Sequence, residues 1–278
     1  MLKSVLYPVA HNYSQSEIIT RIRFMAGLGT NTFRLLHVLT NMLENKKYIG
    51  QKMEATAGKL RSWGYSVETQ ILEGLPAKVI SQAAAEEGID YIYIPGRSNN
   101  ILYRSLLGST AKEVVRLAER PTLVHKKYPA LTRFMYEEKL QDPLQLRKKF
   151  LRSVVFATDF GSAAERAIPY VQEIAQHAQK AVVLHAGERA GDPTSEAKRL
   201  REVEVKLASV EEKINLNYNS VETQARVGFP GRIIKKYSEK NVDLIVIGRF
   251  NLSPYAGIMG STAEYATANV NCSILLIP

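Results

Sequence analysis

Three things are scarce in these 278 residues, and each scarcity removes a class of protein. A lone cysteine, Cys272, has no partner for an internal disulfide, which points away from oxidising compartments and sets the expectation of a cytoplasmic chain. The five histidines, His11, His37, His125, His177 and His185, stand at no metal-ligand spacing with one another or with that cysteine, so no metal site is expected. No stretch approaches the ~18 to 20 apolar residues of a membrane span. The opening MLKSVLYPVAHNYSQ holds too brief an apolar run for the core of a signal peptide.

What is present is a globular composition, 45% hydrophobic and 23% charged, in a length that suits about two domains. The formal charge of +10 invites a nucleic-acid reading, so its distribution decides. Residues 1–126 carry 16 Lys and Arg against 10 Asp and Glu, residues 127–150 carry 6 against 3, and residues 151–278 carry 15 against 14. The basic residues of the first part are scattered among acids and lack the interleaved aromatics of a stacking platform, which disfavours nucleic acid as a partner.

The chain is written twice. VETQILEGLPAKVI at 67–80 returns as VETQARVGFPGRII at 221–234, IDYIYIPGRSN as VDLIVIGRFN, and LLGSTAKEV as IMGSTAEYA. LKSVLYPVAHNYSQSEII returns as LRSVVFATDFGSAAERAI. Two copies of one domain follow, 1–126 and 151–278, joined by a linker at 127–150. The middle of that linker, Leu131 to Leu140, is expected to form a short helix that packs Phe134 and Tyr136 on a domain.

Each copy alternates apolar runs of strand length with amphipathic segments of helix length, the pattern of an α/β layer structure around a parallel sheet. In the second copy, strands are expected near 153–157, 181–186, 221–227, 244–247 and 273–277. Helices are expected near 163–178, 194–214, 230–240 and 261–269. Ser14 with Glu17, Ser162 with Glu165 and Ser261 with Glu264 have capping-box spacing. Pro76 and Pro230 stand where a helix would begin.

One stretch carries chemistry. GRFNLSPYAGIMGST, 248–262, leaves the carboxyl end of the fourth strand, where open α/β sheets place their ligands. Two readings stand side by side. Glycines and a helix start with free amides can cradle an anion, or the same residues simply turn the chain and cap a helix. The pair in GLGTN, 27–31, follows a helix and precedes a strand, the wrong order for a dinucleotide fingerprint.

Taken together, VVFATDFGSAAERAI, VGFP and DLIVIG…GSTAEYATANVNCSILLIP resemble the universal stress protein (UspA-like) family, and both copies share the resemblance. It implies two tandem open-sheet domains, each a five-stranded parallel sheet flanked by helices, of the adenine nucleotide alpha hydrolase-like, Rossmann-like kind. In one branch it implies an ATP site: an aspartate after the first strand, Gly-x-x-Gly after the fourth, then nine residues and a Gly followed by Ser or Thr. The second copy carries over Asp159 with the adjoining Thr158, Gly248, Gly260, Ser261 and Thr262, with Ala186 where a small residue lies against the base. It departs at Asn251, which replaces the second glycine, and in a spacer of eight residues, Leu252 to Met259. The first copy shares both departures in Gly96, Asn99 and Gly108-Ser109-Thr110, and has Ala10 in place of the aspartate.

Each of these residues has a structural alternative. Ser261 and Thr110, each with a glutamate three residues on, can be helix caps; Gly248 and Gly96 can be turns; Asp159 can cap the next helix. His37 and His185 recur at one place in both copies and read as packed strand-end residues, and Cys272 as a small buried hydrophobe. The resulting expectation is a regulatory ATP-binding module, with Mg2+ accompanying the nucleotide and the second domain as the binding copy. A nucleotide-free interaction scaffold and a slow ATPase are the alternatives. No Walker lysine or general base accompanies the loop, so no enzymatic role is assigned. UspA-like domains pair through the last strand, which implies an intrachain pseudo-dimer of the two copies and allows a homodimer or an unidentified protein partner.

Overall fold

A computed structural model describes residues 1–40, 44–96, 107–126, 149–189, 191–215, 217–249 and 259–278. The expected linker helix at 131–140 lies outside the described residues. Two compact units are present, one built mainly on Met1–Pro95 and Gly108–Leu123, the other mainly on 149–278. The first runs β1(Ser4–Pro8), α1(Gln15–Gly27), β2(Thr32–Leu39), α2(Lys46–Arg61), β3(Ser66–Glu73), α3(Pro76–Ala85), β4(Tyr91–Pro95), α4(Ser109–Leu117), β5(Thr122–His125). The second repeats the order as β6(Leu151–Ala157), α5(Ser162–Ile174), β7(Ala178–Gly187), α6(Pro193–Ile214), β8(Ser220–Val227), α7(Pro230–Ser238), β9(Leu244–Gly248), α8(Ser261–Asn269), β10(Ser273–Ile277).

Within the first unit the strands lie in the order β3-β2-β1-β4-β5, and within the second β8-β7-β6-β9-β10. In the second, every neighbouring pair is parallel, with Val155 opposite both Val182 of β7 and Ile245 of β9. The order reverses between β6 and β9, because the chain winds outward through β7 and β8 before returning. That reversal opens a crevice at the carboxyl ends of these two central strands.

The central strands are apolar on both faces, as helices on either side of a parallel sheet require. Leu244, Ile245 and Val246 of β9, and Val154, Val155 and Phe156 of β6, are fully or almost fully buried. The first unit fills its centre with aromatics instead: Tyr7 of β1 and Tyr93 of β4 meet edge to face at 4.9 Å. Cys272 is fully buried, and that burial pushes its thiol up to about 12, as a packed hydrophobe rather than a reactive group.

Several local features of the sequence explain element boundaries. The recurring Gly-x-Pro of EGLP and VGFP turns a strand into a helix: Gly74 and Gly228 take φ of 134° and 135°, and Pro76 and Pro230 open α3 and α7. The recurring aspartate of IDY and VDL clamps the amino edge of each sheet. Asp90 Oδ2 accepts from the amides of Lys3 and Ser4 at 2.8 and 3.1 Å, and Asp243 accepts from the amide and guanidinium of Arg152 at 2.6 and 2.7 Å.

The three capping boxes do not form. Gly161 and Gly260 are the cap residues of α5 and α8, which places Ser162 and Ser261 inside the first turn, one residue too late to cap. Ser14 does occupy the cap position of α1, but its hydroxyl meets Ser16 Oγ at 2.8 Å, and Glu17 pairs forward with Arg21. Likewise Gly108, not Thr110, caps α4, with no side-chain cap bond.

Candidate functional site

At the switch point of the second unit lies a cavity of about 260 Å³. Its floor is apolar, made of Ala157 at the end of β6, Leu184 and Ala186 of β7, Ile247 of β9 and Ile234 of α7. One wall is the turn that leaves β6, Thr158 and Asp159; another is the start of α8, Gly260 to Ala263. Gly248, Arg249 and Pro230 complete the lining. Seven residues singled out from the sequence thus come together: Thr158, Asp159, Ala186, Gly248, Gly260, Ser261 and Thr262.

The Thr158–Gly161 turn is heavily constrained. Thr158 N donates to Leu184 O at 2.9 Å, extending the β6–β7 pairing by one residue. Thr158 Oγ1 accepts from Phe160 N at 3.0 Å, and Asp159 Oδ1 accepts from Gly161 N at 2.8 Å. The aspartate therefore does help organise the start of α5, as its structural reading expected, but with only one oxygen. Its side chain is exposed, and Oδ2 has no hydrogen-bond partner among the described residues. His185 Nδ1 donates to Thr158 O at 2.9 Å, and the ring stacks on Phe160, centroids 4.8 Å apart. Burial, with Arg199 and Lys206 nearby, pushes the His185 imidazole below its usual range, toward the neutral form.

The α8 wall is a helix start without a side-chain cap. Glu264 N donates to Gly260 O at 2.9 Å, the first bond of α8, and Gly260 N is engaged with Arg249 O at 2.9 Å. The amides of Ser261, Thr262 and Ala263 precede that first bond and have no intrahelical carbonyl to meet. They form the positive end of the helix and line the cavity.

Gly248 turns out to serve neither as a turn nor as a positive-φ position. A Cβ there would lie 2.8 Å from Ala163 Cβ and 3.1 Å from the Ala163 carbonyl carbon, so glycine lets the first turn of α5 press against the end of β9. Gly96 has a parallel reason, since its Cβ would lie 2.7 Å from His125 O. Asn251 and Asn99 lie outside the described residues. In the first copy Gly108 caps α4, and Ser109 and Thr110 are exposed in its first turn.

Around the counterpart of Asp159 the first copy is built differently. Val9 N donates to Leu36 O at 2.8 Å as Thr158 does to Leu184, so Ala10 stands at the aspartate's place. His37 keeps the bond from Nδ1 to a carbonyl, Val9 O at 2.8 Å, but its Nε2 faces Glu44 Oε2 at 2.9 Å. Both histidines are thus packed strand-end residues, as expected, in opposite electrostatic surroundings. Hydrogen bonds from the side chain and amide of Thr40, then from His37, hold the Glu44 carboxyl down to about 2. A carboxyl depressed on folding adds stability that is complete above its unfolded value of 4.5 and lost as pH falls toward 2. Glu44→Gln is therefore expected to destabilise the chain at neutral pH, with the difference from the unsubstituted protein shrinking between pH 4.5 and 2. Parallel denaturation series followed by circular dichroism would show a pH-independent difference if the pair is not formed.

Arg249 escaped the sequence reading. It is 5% exposed, lines the cavity, and has both backbone groups fixed, its N–H on Ile277 O at 2.6 Å and its carbonyl on Gly260 N. The signal was available, because the Gly-Arg dipeptide recurs in PGRSN and IGRFN. Pro230 and Ile234 were missed because a helix-opening proline and an apolar helix residue look like ordinary scaffold. Among the described residues no group of three or more His, Cys, Asp or Glu is placed to hold a metal ion, and no helix is long and apolar enough to cross a membrane.

Comparison with known proteins adds an independent line. A family model described as the universal stress protein family matches residues 1–126 and 151–278. Universal stress protein MJ0577 of Methanocaldococcus jannaschii is 29% identical over 111 residues, covering 40% of this chain and 67% of that protein. Among solved structures, a universal stress protein from Pseudomonas aeruginosa UCBPP-PA14 matches at 18% identity over 99% of this chain and 92% of that one, with a TM-score of 0.74. One from Archaeoglobus fulgidus matches at 19% identity over 100% and 96%, with a TM-score of 0.67. At these identities the structures establish the fold.

Proposed function

This chain belongs to the universal stress protein family, and we propose that its second domain is a regulatory module that binds ATP, with Mg2+ carried by the nucleotide. The observation that carries the reading is the presence, in the lining of one cavity, of a carboxylate oxygen with no hydrogen-bond partner among the described residues and a helix start whose first amides have no intrahelical carbonyl, with two hydroxyls. A nucleoside has donors for the first and a polyphosphate has charge for the second. The volume of about 260 Å³ falls just under the ~300 Å³ lower end of ordinary ligand sites, which suits base and ribose inside with the phosphates along the rim.

Asp159 would accept from the adenine amino group or a ribose hydroxyl, while Ala186 and Ile247 give the base an apolar bed. Ser261, Thr262 and Ala263 would receive phosphate oxygens on amides and hydroxyls, with the buried cation of Arg249 adding positive potential. Within the described lining Asp159 is the sole carboxylate and there is no lysine or histidine, which favours holding a nucleotide over turning it over. In the first domain Ala10 removes the nucleoside contact, which favours a nucleotide-free, interaction role for that copy.

Mass spectrometry of small molecules released from the purified, unheated chain should find adenine nucleotide, and calorimetric titration with ATP and Mg2+ should give a binding isotherm. Ser261→Ala separates binding from capping. Because Ser261 caps nothing, the substitution is expected to leave the melting temperature unchanged and weaken ATP by about 1 kcal/mol, roughly fivefold. A lowered melting temperature with unaltered affinity would return Ser261 to a purely structural role.

A further inference from the structure

Phe160 has a backbone conformation that its side chain makes costly. Its φ is 62°, in the left-handed region, and among the described residues the one other non-glycine there is Asn241, a residue type that tolerates it. An aromatic at such a position persists when its surroundings over-determine it, and such positions gather at functional sites. A glycine follows immediately, at 161, so the chain carries the permissive residue one position away from where the backbone needs it.

The contacts that hold Phe160 return to Thr158, the residue before Asp159. The Phe160 amide is bonded to Thr158 Oγ1 at 3.0 Å, before the aspartate, and the Gly161 amide to Asp159 Oδ1 at 2.8 Å, after it. The Phe160 ring lies on the His185 ring, 4.8 Å between centroids and 19° between planes. His185 in turn donates Nδ1 to Thr158 O at 2.9 Å, and Lys206 of α6 places Nζ 5.6 Å from the other partner of the stack, the Phe160 ring. The ring stack thus closes a loop of contacts from Thr158 through Phe160 and His185 back to Thr158, and Asp159 is the residue that the loop spans.

We infer that Phe160 and His185 are positioning residues: their stack locks the left-handed turn and thereby aims the Asp159 carboxylate into the cavity. The inference rests on the nucleotide reading for its functional consequence, but not for the turn itself. The first copy has His11 at the corresponding place, without a positive φ, and Ala10 before it, so among the described residues the left-handed turn and the carboxylate it aims are both particular to the second copy.

Phe160→Gly removes the ring while permitting φ of 62°; Phe160→Tyr keeps the stack. Both are measured in the full chain for amide hydrogen exchange at Gly161, ATP affinity and melting temperature. In Phe160→Gly, Gly161 exchange should rise more than tenfold and ATP should bind at least tenfold more weakly, with Phe160→Tyr restoring both to within about twofold. Unchanged Gly161 exchange in Phe160→Gly overturns the inference whatever the ligand result. A fall in melting temperature with unchanged affinity overturns it as well, since the ring would then only cover the core. If the unsubstituted chain binds no ATP while Gly161 loses protection in Phe160→Gly, the nucleotide reading fails and the positioning of Asp159 stands.

Discussion

Asp159→Ala is expected to weaken ATP about 30-fold in a chain that otherwise titrates with one strong site. A hydrogen bond to an ionised acceptor contributes about 1.5 to 3 kcal/mol, and every 1.4 kcal/mol is tenfold in affinity. The carboxylate is exposed, which sets the estimate near the middle of that range, about 2 kcal/mol. Because Oδ1 also receives the Gly161 amide, alanine disturbs the turn as well as the contact. Asp159→Asn is the companion variant: it keeps an acceptor for Gly161 and loses the charge, so its affinity should fall between the two. The first copy is the natural control, with Ala10 at that place. Calorimetry that finds two equal sites per chain would show that the aspartate does not discriminate between the copies.

The largest loss of stability is expected from Gly248→Val, about 3 kcal/mol in the unfolding of the second domain. The Cβ alone would stand 2.8 Å from Ala163 Cβ, 3.1 Å from the Ala163 carbonyl carbon and 3.2 Å from the Ala164 amide nitrogen. Two of these three neighbours are backbone atoms of α5, so the relief has to come from moving the helix, and forced overpacking costs 1 to 3 kcal/mol before the two γ-methyls are counted. Chemical denaturation read by circular dichroism measures the shift. A change below 1 kcal/mol would mean that α5 slides away from β9 at little cost, and that the glycine is there for a ligand instead.

Much of the fold could be read from residue order because periodicity and punctuation agree. The last helix and strand, Ser261–Asn269 and Ser273–Ile277, fall where the apolar pattern places them, and prolines 76 and 230 mark helix starts because they lack the amide hydrogen that a first turn leaves unused. The capping boxes misled because their signal is a spacing, and spacing is blind to a one-residue shift. A glycine in front of Ser162 and Ser261 takes the cap position with extended backbone and moves each serine inside. The close approach that Gly248 permits was not legible, since its neighbour Ala163 is 85 positions earlier in the chain, beyond any local pattern. Phe160 left no trace at all: a positive φ announces itself through glycine or asparagine, and an aromatic held there by a stack with His185 does not.

The bond from Gly260 N to Arg249 O, 2.9 Å long, ties the start of α8 directly to the end of β9. Closing a loop of n residues costs about 1.5RT ln n, so one residue more or less in ten changes the stability by about 0.1 kcal/mol. The spacer of eight residues where the family pattern has nine is, on this scale, thermodynamically silent. The register between the end of β9 and the start of α8 is thus held by the bond between Arg249 and Gly260, and not by the number of residues that separate them in the sequence.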